Sequence, residues 1–260
     1  MYTLKEVLEK VAKNEVSVAE AEKLLRILAI DEVENIANID SHRELRKGIP
    51  EVILAEGKAT DDLVKIVQKM LTANRRAIIS RYNKQQLSAI TKAVPSTVLV
   101  QIFDKARIVI ATKKDFEVSH TGGKVGVITA GTSDIPVAEE AKIMCEQMGC
   151  KVVAAYDVGV AGIHRLLKPL KTMMLEDVDV LVVIAGREGA LASVVAGMVD
   201  VPVIAVPTSN SYGFGEKGVS TLMAMLQSCS LGLAVVNIDS GLAAGAVATL
   251  IANRVAKFRT

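Results

Sequence analysis

The chain has 260 residues, half of them hydrophobic, with 3 % aromatics and no Trp. That suffices for one large or two smaller domains with an aliphatic core, and leaves too few aromatics for a base-stacking surface. Lys plus Arg number 31 against 29 Asp plus Glu, and a net charge of +2 gives no electrostatic case for nucleic-acid binding.

Leu4, Val7, Leu8 and Val11 recur at helical spacing. The first ten residues are charged and amphipathic, unlike a secretion signal. Ser17 followed by Glu20 forms a capping box that opens a second helix with Ala21, Leu24, Leu25 and Leu28 on its apolar face. Residues 39–48 are polar and dense in charge. From Ile49 a βαβ rhythm predicts strands at 51–54, 77–80, 98–103 and 107–110, with helices at 60–71 and 84–93. Asp61 and Asp62 stand in the first turn of the 60–71 helix, where its dipole favours them. Residues 112–124, polar and containing Gly122-Gly123, are read as a linker between domains at 1–112 and 125–260.

Beyond Val125 the alternation is cleaner. Strands are expected at 125–130, 151–156, 178–184, 201–206 and 233–238, and helices at 135–148, 163–175, 189–199, 217–227 and 241–256. The apolar run from Val178 to Ala185 predicts a strand buried on both faces, hence a parallel sheet. No apolar run reaches the ~20 residues of a membrane span. Asp200, Pro202, Pro207, Asn237 and Asp239 interrupt the Ala- and Val-rich stretches. Cys145, Cys150 and Cys229 suggest no disulfide framework, and no His stands near Cys145 and Cys150 to complete a zinc set. A soluble, reducing cytoplasmic setting is the expectation, with no nucleic-acid or membrane partner.

Four constellations are candidates for chemistry. Thr129-Ala-Gly-Thr-Ser-Asp-Ile-Pro follows a strand and opens a helix. Gly131 lets the backbone turn, and Thr132 and Ser133 set hydroxyls and amides at a helix N-terminus, which suits phosphate. Asp134 adds a carboxylate for a ribose hydroxyl, a proton or a metal; the same residues also describe an ordinary N-cap. Ala185-Gly-Arg-Glu-Gly-Ala, with Arg187, Glu188 and Gly189, again follows a strand. Arg187 can hold phosphate or carboxylate in a fork, and Glu188 can act as acid, base or metal ligand, unless the two form a solvated ion pair. Pro207-Thr-Ser-Asn-Ser-Tyr-Gly-Phe-Gly, with Ser209 and Asn210, is either a ligand-closing loop or a flexible connection. Cys229, after a Met-rich helix, reads from composition as a buried inert thiol, and His164 as a structural histidine.

Taken together these residues resemble known families. Gly131 to Asp134, the turn after 178–184 and the Pro-Thr-Ser turn after 201–206 follow the order of the PurE family of aminoimidazole ribonucleotide carboxylases. The whole chain is similar to the LarB family. That likeness rests on Asp40 to Ile53 with Glu56-Gly-Lys, Thr129 to Pro136 with Glu139 and Glu140, Asp157 to Arg165, and Leu226 to Gly232 followed by Val235-Val-Asn-Ile-Asp. PurE proteins keep a His after the Gly-rich turn, where Gly189-Ala-Leu-Ala-Ser-Val-Val has none.

The resemblance implies a flavodoxin-like, doubly wound C-terminal domain and a smaller N-terminal helical plus α/β domain. It also implies an enzyme that carboxylates the pyridinium ring of nicotinic acid adenine dinucleotide at C5 and hydrolyses its phosphoanhydride, with CO2 or bicarbonate as co-substrate and Mg2+ assisting. By resemblance Cys229 is the nucleophile, and Glu188 and Asp134 serve proton or metal. Gly131, Thr132, Ser133, His164, Arg187, Gly189, Ser209 and Asn210 are the expected substrate-binding residues, and the metal ligands stay unassigned. A homo-oligomer, an octamer in PurE-like domains, is expected on the same ground. An aminoimidazole ribonucleotide mutase and a non-catalytic nucleotide sensor are the alternatives.

Overall fold

The structure, a computed structural model, describes residues 4–25, 31–33, 37–40, 43–211 and 213–259. It divides into two compact units, Met1–Phe116 and Glu117–Thr260.

In the first unit come α1 (Leu4–Ala12), α2 (Val18–Leu25), β1 (Asp31–Val33), β2 (Ala37–Ile39), α3 (Arg43–Lys47), β3 (Val52–Leu54), α4 (Thr60–Asn74), β4 (Arg76–Ser80), α5 (Lys84–Ala93), β5 (Val98–Phe103) and β6 (Ile108–Lys113). The Ser17 capping box forms: Glu20 N–H donates to Ser17 Oγ at 3.2 Å, and Ser17 N–H to Glu20 Oε2 at 3.0 Å. Leu28 of the predicted second helix lies outside the described residues. The sheet order is β3-β4-β6-β5. β3 and β4 run parallel, with α4 as the crossover between them, and β6 is antiparallel to both neighbours. Leu63, Val67 and Met70 of α4 pack with Ile90 on Ala77, Ile79, Val109 and Ala111, forming this unit's core.

Two elements here escaped the sequence reading. One is the antiparallel β1–β2 pair. The other is α3, inside the stretch read only as polar. A five-residue helix is too short to show a period. It is held from outside: buried Arg76 donates to both oxygens of Glu44 at 2.9 Å and lies 4.8 Å over the Phe116 ring.

The second unit contains β7 (Lys124–Thr129), α6 (Ile135–Gln147), β8 (Lys151–Ala155), α7 (His164–Leu175), β9 (Val180–Ala185), α8 (Ala190–Ala196), β10 (Val203–Pro207), α9 (Val219–Leu226), β11 (Leu233–Val235) and α10 (Gly241–Ala256). Its five strands are all parallel in the order β11-β10-β9-β7-β8. Side chains alternate between two cores, as the pleat requires. Val180, Val182 and Ile184 face Val137, Ala141, Ala244 and Ala248 of α6 and α10. Leu181 and Val183 face Leu166, Leu191, Val195 and Met225 of α7, α8 and α9. This is the doubly wound, flavodoxin-like architecture. The chain passes from β7 outward to β8 and then back to β9 on the other side of β7. The crossovers on the two sides of β7 therefore diverge, and a crevice opens at the C-terminal ends of β7 and β9.

Candidate active site

That crevice is a hollow of about 350 Å³. Its walls include Gly131, Ser133 and Asp134 after β7, Arg165 at the start of α7, Arg187 and Glu188 after β9, and Asn210 after β10. A second hollow, of about 440 Å³, adjoins it and shares Arg187 and Glu188; Ser211, Phe214, Gly215, Ser220 and Ala224 complete it.

Three turns are tied together here. Asp134 is buried, and both its carboxylate oxygens are engaged. Oδ2 accepts from Gly131 N–H at 3.0 Å, and Oδ1 accepts from the Thr208 hydroxyl at 2.7 Å. Asn210 Nδ2 donates to the Ser133 carbonyl at 2.7 Å, which joins the third turn to the first. Arg187 N–H donates to Ser211 Oγ at 3.0 Å, which joins it to the second. Ser209 N–H donates to Asp239 Oδ1 at 2.9 Å, anchoring the same loop to the residues after β11. Gly186 is required by the closeness of this packing, because a Cβ there would stand 2.8 Å from Thr208 Oγ1.

Two arginines, Arg165 and Arg187, line the first hollow. Arg165 Nη1 donates to Asp157 Oδ2 at 2.8 Å. Asp157 in turn is fixed through its N–H, which donates to buried Thr129 Oγ1 at 3.0 Å. Arg187 reaches the hollow from a left-handed backbone position, φ +53. Arginine forks on two walls, beside a turn whose amides open a helix, are suited to phosphate or carboxylate oxygens. Glu188 lines both hollows, and among the described residues no hydrogen bond or ion pair holds it.

The remaining predicted residues are placed as follows. Thr132 and His164 are exposed and do not line either hollow; Gly189 is buried beneath Arg187 and Glu188, and half-buried Ser209 stands behind the rim. Cys229 is exposed, which corrects the composition-based reading of a buried thiol. It lies between α9 and β11, where the strands begin, whereas the hollow lies where they end. A five-residue strand spans roughly 16 Å, so within one chain the thiol and the hollow are on opposite ends of the sheet. Leu226 and Leu231 beside it are exposed too, Leu231 at 93 %. Cys145 and Cys150 are buried, and burial pushes the Cys145 thiol up to about 12.

Sequence reasoning gave no individual role to Arg165, Thr208, Ser211 or Thr221. Arg165 was signalled by the Asp157-to-Arg165 segment, and Thr208 and Ser211 by the third turn. Nothing in the helical pattern distinguishes Thr221 from an ordinary core position.

Fold and hollow define a doubly wound α/β protein with its site at the topological switch point. Residues 124–258 match the family model described as AIR carboxylase, and residues 30–114 that of the LarB/PurE-like N-terminal domain. An uncharacterised protein of Methanocaldococcus jannaschii is 45 % identical over 251 residues, 96 % of either chain. The chain belongs to the AIR carboxylase family and carries the LarB/PurE-like N-terminal domain, which supports an enzyme of carboxylase type. Among the described residues no helix is long and apolar enough to cross a membrane.

Proposed function

We propose that the enzyme carboxylates nicotinic acid adenine dinucleotide at C5 of its pyridinium ring and hydrolyses the phosphoanhydride, giving pyridinium-3,5-biscarboxylic acid mononucleotide and AMP. The observation that carries this reading is the pair of adjoining hollows that share Arg187 and Glu188, with Arg165 also lining the first. Two cations flanking one available carboxylate suit a substrate that is anionic at several points and loses a ring proton between them.

A pyridinium carbon is too electron-poor to attack CO2. Addition of a thiolate at C4 forms a C–S bond and moves the ring electrons into a dihydropyridine, making C5 an enamine carbon. C5 then forms a bond to CO2, Glu188 takes the C5 proton, and the C–S pair returns to sulfur as aromaticity is restored. Cys229 is the accessible thiol of the three, and the cationic ring itself favours its thiolate. Because Cys229 and the hollow of its own chain lie at opposite ends of the sheet, the attacking thiol comes from a second copy. The exposed Leu226 and Leu231 form the apolar surface that the copy would cover.

Asp134, with both oxygens engaged, positions the phosphate-facing turn rather than moving the proton. Mg2+, implied by the family resemblance, would be held chiefly by the substrate's own phosphoanhydride oxygens. There it would neutralise the charge of those oxygens, leaving Glu188 to the proton.

The test is incubation with the dinucleotide, Mg2+ and labelled bicarbonate, with products read by mass spectrometry. Label in the ring together with released AMP is expected. Cys229→Ser and Glu188→Gln should each be inactive alone and regain a fraction of activity when mixed, since mixed assemblies pair an intact thiol with an intact hollow. Full labelling by Cys229→Ser would overturn the covalent route. The family's own name favours aminoimidazole ribonucleotide as the second reading, and turnover of that compound instead would establish it.

A further inference from the structure

We propose that Thr221, a residue of α9 outside both hollows, is a positioning residue that fixes Arg187 in its binding conformation. The inference rests on the reading above that Arg187 binds an anionic group. At φ +53, Arg187 occupies the left-handed region, which a residue with a Cβ adopts only when its surroundings impose it. Two hydroxyls impose it here. On one side the Arg187 N–H donates to Ser211 Oγ at 3.0 Å. On the other the Arg187 carbonyl accepts from Thr221 Oγ1. The two hydroxyl oxygens are 3.1 Å apart, so the ring of contacts closes on itself. Both flanking peptide groups of Arg187 are thus held by side chains from elements that follow it in sequence.

Thr221 is fully buried. Its methyl carbon stands 3.1 Å from where a Cβ on Gly189 would be, so it also packs beneath the turn. Packing alone does not call for a hydroxyl, since Val has the same shape and suits an apolar core better. The polar atom is accounted for by the Arg187 carbonyl. As a β-branched residue, Thr221 is restricted at χ1, so the hydroxyl holds its aim with little loss of freedom. Removing it unpins one flank of Arg187, which then leaves the left-handed well and withdraws the guanidinium from the hollow wall.

The experiment titrates inorganic pyrophosphate into the full-length protein by isothermal calorimetry. Thr221→Val should weaken binding by roughly tenfold, the equivalent of one hydrogen bond, and approach the loss seen in Arg187→Ala. Thr221→Ser, which keeps the hydroxyl, should bind within about twofold of the parent. The proposal is overturned if Thr221→Val binds like the parent while Arg187→Ala does not, or if Thr221→Ser fails to restore binding. Should Arg187→Ala itself bind pyrophosphate normally, the anion-site reading fails. The clamp is then judged by amide hydrogen exchange at Arg187: faster exchange in Thr221→Val supports it, and unchanged exchange overturns it.

Discussion

Thr208→Val keeps the shape of the side chain and removes one hydroxyl from the floor of the candidate site. Thr208 is fully buried, Asp134 is 3 % exposed, and the bond between them is 2.7 Å. A hydrogen bond to a charged group contributes roughly 1.5–3 kcal/mol, and a buried oxygen left without a donor adds its own desolvation cost. The carboxylate keeps only the Gly131 N–H. The expected loss is therefore about 2–3 kcal/mol, near the upper part of that range. In a unit of this size each kcal/mol moves Tm by roughly 2–4 °C, so the shift should be about 4–12 °C. Urea unfolding followed by circular dichroism gives the free energy, and a cycle with Asp134→Asn isolates the pair. A loss below about 0.5 kcal/mol, or strict additivity in the cycle, would refute the claim that this bond joins the two turns.

The thiols should differ in reactivity: a disulfide reagent at pH 8 should modify Cys229 at once, and Cys145 and Cys150 only after unfolding. Burial holds the Cys145 pKa up at about 12, so at that pH the buried thiol stays protonated. The folded state retains this proton longer than the unfolded state, so stability should fall as pH rises from about 9 towards 12; Cys145→Ala should flatten that slope in urea titrations. In the first unit, Asn83→Ala removes the side chain that accepts from Gln86 N–H at 2.8 Å and should cost about 1 kcal/mol by thermal unfolding. An unchanged transition would deny the cap its role.

The parallel sheet was legible because strands buried on both faces leave continuous apolar runs. The predicted helices of the second unit fall within three residues of their observed ends. The three polar turns were legible because parallel strands deliver their C-terminal ends to one edge. What the sequence hid is contact-dependent. α3 owes its five residues to Arg76, which lies 32 residues from Glu44. Thr221 looks like core until its hydroxyl is seen on the Arg187 carbonyl. The tie of Asp134 to Thr208 across 74 residues is likewise invisible in the local motif. The end of the sheet that Cys229 occupies follows from the turn between α9 and β11, and the local motif Ser-Cys-Ser says nothing about it.

The ties that finish the candidate site run backward along the chain, and this has a consequence for its synthesis. Thr208 meets Asp134 across 74 residues, and Thr221 meets the Arg187 carbonyl across 34. At a ribosomal rate of ~5–20 residues per second, Asp134 exists for roughly 4–15 s before its partner has been polymerised. Throughout that interval the turn at 131–134 lacks its tie to the third turn, and Arg187 afterwards waits for its own clamp. A nascent chain halted before α9 therefore has the strands of the site without its settled walls. The walls of the candidate site are therefore completed only after α9 has been made.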